Sequence, residues 1–225
     1  MRRLGILAAL LAACGGSGTV GGSSNGPSGT VGGTPFSPAA LAALAAGPAT
    51  CQVSDPTGQT SQKIAVNAAA VAVTFATYSG ICADFASPFC AFHQDAREVT
   101  LLLAALDFAG GTARVVPGTY TLTTDVTRPS FNLGTGTATV AYATSLATGP
   151  SCAPLGDGGA AAVAQGTLRL DALDSAHAAG HVELTFSDGG KLSGDFSAPV
   201  CAGLAPDICA ITAASGSCPG TPACK

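Results

Sequence analysis

Apolar and polar positions alternate in three segments along residues 166–201. Leu168 and Leu170, then Val182, Leu184 and Phe186, then Leu192 and Phe196 each keep one parity. Arg169, Asp171, Glu183, Thr185, Lys191 and Asp195 hold the other. Side chains of a strand point alternately to its two faces, so the pattern predicts strands with one buried and one solvated face. Ser187-Asp188-Gly189-Gly190 separates two of them as a turn of the Asp-Gly kind. The stretch reads as an antiparallel meander with a wet face.

Residues 117–124 and 137–146 alternate in the same way, and 63–79 sets Val71, Val73 and Phe75 against smaller neighbours. Residues 97–108 fit either period, and the dense apolar run at 99–103 favours a buried strand over a helix. One segment predicts a short N-terminal helix, 35–48. Ser37 supplies a cap, Pro38 suits the first helical position, and Gly47-Pro48 ends it. About seven strands at this spacing predict an all-β fold over 35–201, either an antiparallel sandwich or an open barrel. Before it, residues 15–34 are mostly Gly, Ser, Thr and Asn and carry "SGTVGG" twice, at 17–22 and 28–33. So few apolar groups predict a flexible tether, with a mean reach of about 25 Å for twenty residues.

The first residues change the picture. Met1-Arg2-Arg3 is positive, and Leu4 to Ala13 is uncharged and apolar, as in a secretory signal. The run is about half of the roughly 20 residues that a membrane-spanning helix needs. Leu11-Ala12-Ala13-Cys14 resembles the lipobox of bacterial lipoproteins. That resemblance implies a signal peptide at 1–13, diacylglyceryl transfer to the Cys14 thiol, cleavage before it and acylation of the new first residue. It further implies anchoring in the cell envelope, at the periplasmic or surface face of an outer membrane. Ser193 to Cys201, "SGDFSAPVC", is similar to the final strand of uncharacterised Ala/Gly-rich lipoproteins of high-GC bacteria. The similarity covers about 60–201 and brings no activity with it.

The chain has nine cysteines. Setting Cys14 aside leaves Cys51, Cys82, Cys90, Cys152, Cys201, Cys209, Cys218 and Cys224, and an even set in an exported chain reads as a disulfide framework. Cys82 and Cys90 are expected to close a local loop between the strands at 63–79 and 97–108. Cys201 is expected to bond to Cys152, and Cys51 to one cysteine of the tail 202–225, whose other two would bond to each other. The core is rich in alanine, which buries little area, and disulfides worth about 2–4 kcal/mol each offset that.

Thirteen acidic residues outnumber nine basic ones, for a net charge of −4. Losing Arg2 and Arg3 with the leader makes the chain more acidic still, which argues against nucleic acid as a partner. His177 and His181 have a zinc-like spacing, but Gly180 and the strand pattern after them predict a turn entering a strand, which splits the pair. His181-Val182-Glu183 lacks the second half of a zinc deaminase signature. With no CxxC and no phosphate loop, neither a metal, a cofactor nor a catalytic residue is assigned. The absence of tryptophan and the three tyrosines leave few platforms for sugar rings. Phe85, Phe89 and Phe92 form either a contact loop for a partner or lipid, or an inward plug on one end of the sheet; the plug is the expectation. The expected role is structural or interactive, with the membrane and an envelope or surface protein as partners. The alternatives are a hydrolase with an acidic or histidine site on loops, and a barrel carrier of a small apolar ligand.

Overall fold

A computed structural model describes residues 26–54, 63–86, 91–123, 130–132, 134–155, 161–204, 209 and 223–225. The meander is as the alternation predicts: β10 (Val163–Leu173), β11 (His177–Phe186) and β12 (Lys191–Pro199) run antiparallel. Leu168, Leu170, Val182, Leu184, Phe186, Leu192 and Phe196 are buried, while Arg169, Asp171, Glu183, Lys191 and Asp195 are exposed. β7 (Gly118–Leu122) adds to one side of the meander. On the other side lie β1 (Ser28–Val31) and β2 (Thr34–Phe36), completing a six-stranded sheet in the order β2-β1-β12-β11-β10-β7.

The second sheet has the order β3-β4-β6-β9-β8, built from β3 (Ala40–Ser54), β4 (Lys63–Ala76), β6 (Arg97–Asp107), β9 (Thr137–Ala147) and β8 (Ser130–Asn132). Both sheets are antiparallel, and they pack face to face as a sandwich. Val71, Val73 and Phe75 of β4 and Val99, Leu101 and Leu103 of β6 meet the apolar face of the meander in one core.

Two expectations from the sequence are corrected here. The helix over 35–48 is absent: those residues contribute to β2 and then to β3, which runs through Gly47-Pro48 as a bulge between the pairs Ala46↔Ala70 and Ala49↔Ala68. Proline has no N–H to give to the ladder, so the helix stop becomes a strand irregularity. Part of the expected tether is also ordered. The second "SGTVGG" forms β1 and the turn into β2, with Gly32 and Gly33 at φ of 59° and 69°. Two successive positive φ values make the tight turn that matches strand twist, and two glycines adopt it without steric cost. A Cβ on Gly29 would collide with the Lys191 carbonyl, so glycine also lets β1 lie close against β12.

The second sheet is covered on its outer face too. Ala42, Leu44 and Ala76 pack there against Ile81 and Phe85 of α1 (Ile81–Ala86) and against Leu204. Further along, Ala46, Cys51, Ala68, Ala70, Ala72 and Leu102 form another buried cluster that Cys209 joins. Two short parallel strands, β5 (Ala91–Phe92) and β13 (Ala223–Cys224), complete this cap.

Candidate functional site

Three disulfides fasten the cap to the sandwich: Cys51–Cys209, Cys82–Cys201 and Cys152–Cys224. The expected bond of Cys51 to the tail is present. The expected Cys82–Cys90 bond is replaced, because α1 seats Ile81 and Phe85 beside Leu204 and so carries Cys82 to Cys201, with Cα atoms 5.4 Å apart. Closeness in sequence lowers the entropy of closing a loop, but the fold decides which Cα atoms come within bonding reach. The expected Cys152–Cys201 bond fails for the same reason, and Cys152 takes Cys224. Cys224 therefore does not bond within the tail. Cys14, Phe89, Cys90 and Cys218 lie outside the described residues. Such bonds belong to an oxidising, exported environment.

Of the phenylalanines at the loop, Phe85 is buried in the cap cluster, which makes it part of a plug rather than a contact tip. Phe92 is half-buried on β5.

A charged cluster sits at the rim of the cap. Nε2 of His93 lies 2.8 Å from one carboxylate oxygen of Asp84, and Nζ of Lys225 lies 2.7 Å from the other. Asp84 and His93 are mostly buried, with side chains 14% and 18% exposed. A carboxylate accepts only, so Nε2 of His93 carries the proton in this pair. The imidazole stacks on the Tyr78 ring with centroids 3.7 Å apart. The Tyr78 hydroxyl donates to Glu98 at 2.8 Å, and Glu98 also accepts from Thr100, which pairs with the buried Thr74. Burial first, and then the charge of Glu98, push the Tyr78 phenol far above its usual range, so it stays a neutral donor. Asp84 and Lys225 stand 141 residues apart in sequence. Only Asp84 and His93, nine residues apart, could have been paired from the sequence.

The wet face of the six-stranded sheet holds a second constellation. Arg169, His181 and Asp195 are cross-strand neighbours on β10, β11 and β12. His181 Nδ1 is 2.7 Å from Asp195, its Nε2 is 3.5 Å from Glu183, and Arg169 makes a two-pronged pair with Asp171. The turn expected to split His177 from His181 is absent: β11 already begins at His177, and four residues along a strand bring both imidazoles to the same face. Among the described residues no three His, Cys, Asp or Glu side chains are placed to hold a metal ion.

An open hollow lies at the β3 bulge, lined by Pro48, Ala49, Thr50, Asn67, Gly111 and Thr112. Two of its polar side chains are joined to each other: the Thr50 hydroxyl donates to the Asn67 amide oxygen at 2.6 Å, and the Asn67 amide donates to the Gly111 carbonyl. That arrangement holds the 108–112 loop in place.

No family model, curated protein or solved structure matches this chain.

Proposed function

We propose that the protein is an exported lipoprotein, anchored through an acylated Cys14, whose sandwich acts as an interaction module in the cell envelope. The wet face of the six-stranded sheet is its contact surface. The observation that carries the reading is the Arg169–His181–Asp195 row, a band of charged and polar groups across three paired strands. Strands fix the spacing of the backbone positions that carry these side chains, so the backbone needs no further ordering on binding. Glu183, Asp171 and Lys191 extend the band. Mixed charge of this kind suits recognition of a protein of complementary pattern.

The anchor supports the same reading. Twelve residue steps lead from Cys14 to Gly26, where the described chain begins. At full extension they span about 40 Å. The sandwich therefore works within that distance of the acyl groups, against neighbours in the same membrane. No helix among the described residues is long and apolar enough to cross a membrane. In the sandwich centre Phe75 packs on Phe196, a contact that favours an interaction role over a carrier with an open interior.

The test is photocrosslinking in the cell from Thr167 and Ser193, both on the wet face. A discrete crosslinked protein should form and should be lost when Arg169, Glu183, Lys191 and Asp195 are changed together to Ala. Crosslinks unaffected by those changes would remove this face as the contact surface.

A further inference from the structure

Each of the two large sheets ends in two edge strands, and three of those four edges are blunted. β2 and β8 are three residues long, and β2 has Pro35 at its centre. β3 is interrupted by the bulge at Gly47-Pro48, and its Ala43 carbonyl accepts the Cys201 N–H. Short length, proline, bulges and cover keep an edge from pairing with another chain. β7 has none of these devices. Its five residues, Gly-Thr-Tyr-Thr-Leu, carry no charge and no proline, and their register against β10 is unbroken.

The ladder fixes which groups are open. Thr123, just past β7, donates its N–H away from β10, to the Ala141 carbonyl. Backbone groups alternate along a strand in an antiparallel ladder. N–H and C=O of Thr119 and Thr121 therefore also point away from β10, while Gly118, Tyr120 and Leu122 bond to it. Among the described residues Thr119 and Thr121 have no ladder partner on that outer side. Both residues are exposed, with side chains on the wet face beside Arg169 and Thr167.

We propose that β7 is the strand through which two copies of this chain pair, antiparallel about a two-fold axis at Tyr120. Thr119 then faces Thr121 of the second copy, and each donates its N–H to the carbonyl of the other. The reciprocal pair does the same, so every outward group of the strand is satisfied. The strand is complementary to itself in this register: Thr meets Thr, a favourable cross-strand pair. An isologous contact sets one patch against its own copy. In a chain of net charge −4, an uncharged strand makes that contact without opposing like charges. The pairing joins the six-stranded sheets of two copies edge to edge and sets their charged bands side by side.

The test is native mass spectrometry of the full mature chain, recovered from its own cells in detergent, at rising concentration. The wild type should give the mass of two chains. Thr119→Glu with Thr121→Glu puts Glu opposite Glu in both pairs and should raise the dissociation constant about ten-fold or more. Thr119→Glu with Thr121→Lys puts Glu opposite Lys and should restore the dimer. Sharing the first substitution, it also controls for the folding of the strand. A wild-type chain that stays single, or that is recovered with a different protein on this edge, overturns the proposal. So does a dimer equally tight in both variants, which would lie elsewhere on the surface. Loss of the dimer in both variants would remove the Thr119–Thr121 register and with it the proposal.

Discussion

The rings of Phe75 and Phe196 meet edge to face, with centroids 5.6 Å apart and planes at 66°. One lies on β4 and the other on β12, so this contact joins the two sheets at the centre of the sandwich. Edge-to-face pairs of this kind add about 0.5–1.5 kcal/mol to the value of the buried area.

The core and wet-face assignments make opposite predictions for neighbours in sequence. Phe186→Ala and Phe196→Ala should each cost about 3–5 kcal/mol through lost burial and the cavity left behind. Lys191→Ala and Asp195→Ala should stay within about 0.5 kcal/mol, since both side chains face water. Denaturant melts with disulfides intact measure all four. Greater sensitivity at the charged positions would mean that the register has slipped by one residue, which exchanges the faces.

Clean alternation made β7 and the meander of β10, β11 and β12 legible, and it survives because the outer side of their sheet meets water. The second sheet hides its register. Ala43 of β3 faces the sandwich core while Ala42 and Leu44 face the cap, so apolar residues run on without a period of two. A string of alanines between Ser37-Pro38 and Gly47-Pro48 then reads as a capped helix. β6 shows the same ambiguity, but its β-branched and leucine-rich run decided correctly for a strand. The "SGTVGG" hairpin was concealed by composition, although a Gly-Gly pair between short extended segments is itself a turn signal. Disulfide partners separated by 158, 119 and 72 residues leave no local trace, and neither does the Asp84–Lys225 pair.

Arg97 ties the edge hairpin to the second sheet. Its guanidinium donates to the Val31 carbonyl at 3.2 Å and to the Thr34 hydroxyl at 2.9 Å. Arg97→Met keeps much of the aliphatic stem and removes these bonds, so amides of β1 and β2 should exchange several-fold faster. β10 and β11 should be unaffected. Unchanged protection in the hairpin would mean that its ladder to β12 suffices.

Tyr78 sets an alkaline limit. Its phenol is held above the ordinary value of 10.0 by burial and by Glu98, so the folded chain keeps a proton that the unfolded chain releases. The resulting stabilisation is complete below pH 10.0 and is lost as pH rises above it. Tyr78→Phe should flatten the fall in melting temperature between about pH 9 and 11. An equally steep fall in the variant would assign the alkaline loss to other groups.

Peptide mapping of the unreduced protein should recover Cys51–Cys209, Cys82–Cys201 and Cys152–Cys224. Because the eight cysteines after Cys14 are even in number, alkylation of the denatured, unreduced chain should add no label to any of them. Two labels would mean that Cys90 and Cys218 are free thiols and that redox chemistry must be considered.

Anchoring through Cys14 is tested most directly by mass and phase partition of the protein recovered from its own cells. The wild-type chain should begin at Cys14, carry acyl groups on it and enter the detergent phase, since several acyl chains exceed what stable anchoring requires. Cys14→Ala should remain uncut and unacylated. A wild-type chain recovered in the aqueous phase, without acyl groups, would contradict the account.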